Sequence, residues 1–219
     1  MELKNITRFF QVTLICVSIL GLNGCESLYF SAMEKVGVHK RDILKDRIED
    51  ARDAQEESKE QFVSALDEFK QVLHLEETSL EKRYKSLQAE YDASEEAAQE
   101  VHDKIAAVES VSEALFKEWQ KELSLYTSPA LKRSSAARLK TTRKKYAQLI
   151  VLMKRAESKM APVLNTLRDQ TLFLKHNLNA QAICTVRAEL GRVEQDVDQL
   201  VIAMEKSILQ ANAFIQELK

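Results

Sequence analysis

Apolar residues return along this chain in alternating steps of four and three, the spacing that keeps one face of an α-helix against a partner helix. From Asp42 onward the stripe reads Leu44, Ile48, Ala51, Gln55, Ser58, Phe62, Ala65, Phe69 and Val72. Its middle is small and polar, which predicts close but weak packing there. The register then slips by one residue. A second stripe runs Leu80, Tyr84, Leu87, Tyr91, Ser94, Ala98, Val101, Ile105, Val108, Ser112, Leu115 and Trp119. Between the two lies His74 to Ser79, where Thr78 and Glu81 fit a reciprocal capping box. This predicts a turn; the alternative is one very long helix with a local phase skip.

Tyr126-Thr127-Ser128-Pro129 marks the next boundary, because Ser128 can cap and Pro129 suits a first helical turn, where no amide donor is needed. A third stripe follows through Leu139, Thr142, Tyr146, Leu149, Met153, Ala156, Met160, Val163, Leu167, Gln170 and Leu174. Pro162 removes one backbone hydrogen bond inside it and predicts a kink rather than an end, since the stripe keeps its phase. His176-Asn177-Leu178-Asn179 breaks the pattern, with Asn179 as a cap. The last stripe is Ile183, Val186, Leu190, Val193, Val197, Leu200, Met204, Ile208, Ala211, Ile215 and Leu218. The four segments are roughly 37, 47, 48 and 39 residues long and would span about 55–72 Å. One such stripe is not stable alone in water, and short connections favour antiparallel neighbours. The expected fold is all-α: an elongated antiparallel up-down-up-down four-helix bundle with coiled-coil-like heptads.

Composition agrees. Only 4 Gly and 2 Pro punctuate 219 residues, too few turn formers for a β-rich domain. The chain carries 32 basic and 34 acidic side chains, a near balance that gives no bulk argument for nucleic acid. The balance is local, however. Lys132, Arg133, Arg138, Lys140, Arg143, Lys144 and Lys145 occupy one stretch with no acidic residue, whereas Glu90 to Asp103 is mainly acidic. Two readings stand: pairing between neighbouring antiparallel helices, or contact of the basic run with an anionic surface.

The front of the chain carries a different signal. A basic head with Lys4 and Arg8 is followed by an apolar run from Phe9 to Leu20 and then by Leu22-Asn23-Gly24-Cys25. The run is far shorter than the roughly 20 residues that span a bilayer. Leu three residues before a Cys, with Gly next to it, is the pattern at which bacterial lipoprotein precursors are acylated and cut. The expected organisation is therefore a signal peptide over 1–24, a lipidated tether over 25–38 beginning at Cys25, and a long-helix bundle over 39–219. Each buried CH₂ of an acyl chain adds roughly 0.8 kcal/mol, so several chains hold permanently. Glu26, where Asp would signal retention at the inner membrane, points to an outer-membrane lipoprotein facing the periplasm. Leu28, Tyr29, Phe30 and Met33 either lie at the headgroup level or staple onto the bundle end, and Gly37 interrupts any helix. Cys16 is lost with the signal peptide, which leaves Cys184 without a disulfide partner and expected to be buried.

The strings EKVGVHKRDILKDRIEDARDAQE from Glu34 to Glu56, LFKEWQKELSLY from Leu115 to Tyr126, Pro162 to Leu164, and LKHNLNAQAI from Leu174 to Ile183 resemble a family of Gram-negative bacterial lipoproteins classed as a domain of unknown function. The resemblance covers nearly the whole chain after Cys25. It implies a helical, periplasm-facing lipoprotein and supplies no catalytic residues. Some relatives bear names borrowed from DNA-repair ATPases, but the phosphate-binding Gly-x-x-x-x-Gly-Lys-Ser/Thr loop is missing from this sequence.

The residues offer no constellation for catalysis, a metal or a cofactor. His39, His74, His102 and His176 are isolated, with none of the i, i+3 or i, i+4 pairings that bundle metal sites use. Lys175, His176, Asn177 and Asn179 read either as a helix corner or as a partner contact. Trp119, with Leu115 and Phe116, reads as core. The expectation is a non-enzymatic, lipid-anchored structural or interaction protein. Its partners would be the membrane, reached through the anchor, and another protein or a second copy, with no nucleic acid or small-molecule substrate. The alternative is a membrane-surface binding module using the basic run on anionic lipid.

Overall fold

The computed structural model describes residues 30, 33, 37–72, 80–177 and 180–218. The leader with Cys25, the tether residues Leu28 and Tyr29, the segment His74 to Ser79, and Asn179 lie outside the described residues. The chain forms two compact units, Met1–Ile43 and Leu44–Lys219. In the first, Gly37 takes φ 86°, and the Val38 amide donates to the Met33 carbonyl at 3.0 Å. That six-to-one bond closes over a left-handed glycine, a geometry that interrupts a helix, as the sequence predicts at this position.

Four helices follow: α1 (Lys40–Val72), α2 (Leu80–Glu122), α3 (Pro129–His176) and α4 (Ala180–Leu218). No strand occurs among the described residues, and no helix there is long and apolar enough to cross a membrane. Within Leu44–Lys219 the side-chain bonds between helices set direction and level. Gln61 bonds Glu90 and Arg83 pairs with Glu68, so α1 and α2 run antiparallel and cannot be one continuous helix. His102 meets Glu157 and Glu109 meets Lys154 across α2 and α3. Lys159 bonds Gln199 and Arg192 bonds Thr166 across α3 and α4. Lys70 pairs with Glu194 and Arg52 bonds Asn212, which closes α4 onto α1. This is an antiparallel up-down-up-down four-helix bundle.

The stripes are its core. Leu44, Ile48, Ala51, Gln55, Ser58, Phe62, Ala65 and Phe69 are all fully buried on α1. On α3 Leu149, Met153, Ala156, Val163 and Leu167 are fully buried, and the helix continues through Pro162. The stripe drifts elsewhere. At the end of α2, Phe116 and Leu123 are buried, while Leu115 and Trp119 are only partly so. At this level α4 comes to its end, with Lys145 paired to Glu217 in its last turn, and the apolar face of α2 rolls toward α3. On α4, Ser207 and Phe214 take interior places beside Ala211 and Ile215, and Ile208 moves to the margin. Cys184 is exposed, contrary to the expectation of burial, because it follows Ile183 and falls off the α4 stripe.

The middle of the bundle is lined by small and polar side chains. Gln55, Ser58, Ser94 and Ser207 are buried there, as are Ala51 and Ala211. Ser94 returns its hydroxyl to the Glu90 carbonyl. Gln55 Nε2 and Oε1, Ser58 Oγ and Ser207 Oγ have no hydrogen-bond partner among the described residues. An unpaired buried amide costs about 1–3 kcal/mol. Gln55→Met, which keeps the shape and removes the polar atoms, is expected to stabilise the bundle by about 1–2 kcal/mol, read as a higher urea midpoint. A lower midpoint would mean that the amide is satisfied inside the core.

Candidate functional site

The α2–α3 hairpin extends past the end of α4. Lys145 pairs with Glu217 at 2.6 Å, in the last turn of α4, so α3 from Pro129 to Lys144 has no α4 beside it. At 1.5 Å per residue this overhang is about 24 Å. Leu44 on α1 enters the bundle at this same end.

The overhang has its own small core. Phe116, Leu123 and Leu139 are buried together, with Leu115, Trp119, Ala136 and Tyr146 packed against them. Polar bonds fasten the two helices. Trp119 Nε1 donates to Ser135 Oγ at 2.8 Å. Arg143 donates to the Phe116 carbonyl at 2.9 Å, with its guanidinium 5.5 Å from the centre of the Phe116 ring. Phe116 and Tyr146 meet edge-on at 5.4 Å. The connection is equally ordered. Ser124 and Leu125 amides donate to the Lys121 and Glu122 carbonyls. Ser128 caps α3 by accepting from the Leu131 amide, with Pro129 in the first turn, as the sequence predicts.

The seven basic residues separate into two kinds. Arg143 is bound to Phe116 and Lys145 to Glu217. Lys132, Arg133, Arg138, Lys140 and Lys144 are exposed and form no ion pair among the described residues. Arg133, Lys140 and Lys144 follow i, i+7, i+11 and share one face. The acidic run does not meet them. It ends at Asp103, and the neighbouring His102 already bonds Glu157, about three turns of α3 past Lys145. Lys145 with Glu217 is a pair between neighbouring antiparallel helices, whereas among the described residues Glu90 to Asp103 supplies the basic run with no partner.

Sequence periodicity missed the residues at the very tip. Leu125 is 75% exposed, Tyr126 40% and Leu131 60%. Among the described residues, three of the eight exposed large apolar side chains therefore sit within seven positions, while Val63, Val151, Leu172, Ile202 and Leu209 are scattered along the helices. The available signal was that Leu125 and Leu131 belong to no stripe yet flank the capping pair Ser128-Pro129.

The other predicted positions are plainer. Asn177 closes the end of α3, its amide donating to the Leu174 carbonyl and its Nδ2 to the Phe173 carbonyl, while Lys175 and His176 are exposed. Among the described residues no group of His, Cys, Asp and Glu could hold a metal ion. His102 Nδ1 and Glu157 Oε1 are 2.6 Å apart in a shallow groove with Ile105, Ala106, Glu109 and Lys154. The Glu157 carboxylate, by hydrogen bond and by charge, holds the imidazole above its ordinary 6.5.

These features define an all-α antiparallel bundle with a cationic, apolar-tipped hairpin at one end. The chain belongs to the family described as protein of unknown function DUF2959, which matches residues 29–218. No curated protein and no solved structure matches it.

Two outcomes follow from this geometry. Leu139→Ala is expected to cost about 2–3 kcal/mol locally. Hydrogen exchange should quicken from Phe116 to Tyr146 while the Phe62 and Leu200 levels stay protected; uniform quickening would show that the hairpin is not a separate unit. The proton resonances of His102 should titrate above 6.5, and Glu157→Gln should return the midpoint toward it. A raised folded value means that the contact stabilises fully below 6.5 and is lost as pH rises through the raised value.

Proposed function

We propose that this protein is a lipid-anchored helical component of the bacterial envelope, facing the periplasm from the outer membrane, with a structural or interactional rather than catalytic role. The observation that carries this reading is the Leu22-Asn23-Gly24-Cys25 pattern behind a basic and apolar leader. The family match supports it by beginning at residue 29, just after that pattern. The bundle supports it by placing its best-defined surface on a projecting hairpin rather than in an enclosed cleft. A solid helical core with matched faces is suited to holding two surfaces at a set distance. Its partners would be the membrane, through the acyl chains on Cys25, and a second protein or a second copy. Glu26 is the feature that favours the outer membrane.

Mass spectrometry of the chain purified from its own membranes tests this reading. The expected product begins at Cys25 and carries acyl chains, and Cys25→Ser should abolish the acyl mass. A wild-type chain with an unmodified Cys25, or one cut elsewhere, would overturn the anchor and with it the placement in the envelope.

A further inference from the structure

We propose that the α2–α3 hairpin tip is a second membrane contact, docking on an anionic phospholipid surface with Leu125, Tyr126 and Leu131 in the headgroup layer. The proposal deepens the reading above by naming the surface that the anchored rod touches. It does not need the acyl chain, so the two can fail separately.

Three independent features converge at this end. The first is apolar: Leu125, Tyr126 and Leu131 are exposed together where the chain turns, beyond the reach of α4. Leucine and an amphipathic tyrosine at the point of a helical hairpin suit the boundary between headgroups and acyl chains. The second is charge. From Phe116 to Lys145 the sequence holds nine basic and two acidic side chains, whereas the rest of the chain holds 23 basic and 32 acidic. Positive charge is thus concentrated on this hairpin of an otherwise acidic chain. Internal bonds occupy Arg143 and Lys145, but Lys132, Arg133, Arg138, Lys140 and Lys144 remain exposed for lipid phosphates. The third is rigidity. The Trp119–Ser135 and Arg143–Phe116 bonds and the Ser128 cap hold the tip in shape before any surface is met. A preformed tip loses little conformational freedom on docking.

Chain direction completes the argument. Leu44 enters the bundle at the hairpin end. Docking of the tip would then orient the bundle on the bilayer rather than retain it there. The acidic face of α2 around Glu95, Glu96 and Glu100 offers a rival occupant, the tip of a second copy. It contributes no apolar complement to Leu125 and Leu131, and the lipid surface supplies both.

The test uses residues 26–219 without lipid, whose core closes within Leu44–Lys219, with helicity checked by circular dichroism. Co-flotation is measured with vesicles of phosphatidylglycerol and phosphatidylcholine, and with phosphatidylcholine alone. Binding is expected to the anionic vesicles and to weaken with salt. Replacing Arg133, Lys140 and Lys144 together by Gln should reduce it on the order of a hundredfold, about fivefold for each cation near the surface. Leu125→Ser with Leu131→Ser should reduce binding while leaving its salt dependence, whereas Lys175→Gln on the far corner should leave it unchanged. No binding by the parent chain, equal binding to neutral vesicles, or indifference to both sets of tip substitutions would overturn the proposal. So would a concentration-dependent dimer lost when Glu95, Glu96 and Glu100 become Gln, with no vesicle binding. That result would assign the tip to a second copy.

Discussion

Four helices of 33, 43, 48 and 39 residues cannot all end together, so the level at which they lock decides what remains uncovered. In this bundle the lock lies in the middle. Ser58, Ser94 and Ser207 are buried at nearly the same level by the register of the interhelical bonds. Small side chains let the helices approach, and a slip by one heptad would set Phe62 or Met153 against a space shaped for serine and alanine. Overpacking of that kind costs about 1–3 kcal/mol per site. The unpaired Gln55 amide lies in the same stretch and has no better place in a shifted register. Close approach and a polar burden both argue for a waist that trades stability for one defined level.

Once that level is set, the hairpin follows from helix length. The last turn of α4 reaches Lys145, and the earlier turns of α3 extend past it. A segment that has lost a neighbour cannot bury the same stripe. The chain answers with a separate aromatic cluster about Phe116, Trp119 and Tyr146, fixed by an indole–hydroxyl bond and by Arg143. Cations that would meet acidic neighbours inside a full bundle meet solvent here. The electrostatic asymmetry of the molecule is therefore a consequence of where one helix stops.

Much of this was legible in the sequence. Every described position of the α1 stripe is interior, and the Ser128-Pro129 cap and Gly37 stop stand where local chemistry puts them. Stripes report which face of a helix is buried; they carry no information about relative level. That is why the sequence allows the basic run an acidic partner on a neighbouring helix, allows Trp119 a place in the bundle core, and does not mark Leu125 and Leu131. Cys184 illustrates the same limit from the other side: composition favours burial of a lone thiol, but its phase on α4 places it outward. The lipidation pattern at Cys25 is a property of linear sequence and owes nothing to the fold.

The level of the helices is the central claim, and a distance across the bundle end tests it most directly. Paired spin labels at Arg133 and Glu217, in a chain lacking Cys184, report whether α4 stops short of the hairpin. The account predicts a separation of at least about 18 Å, the rise of the twelve residues between Arg133 and Lys145. A reference pair at Lys144 and Glu217 should be much closer. Equal short distances for both pairs would place α4 alongside the tip, cover the exposed cations and leucines, and contradict the account.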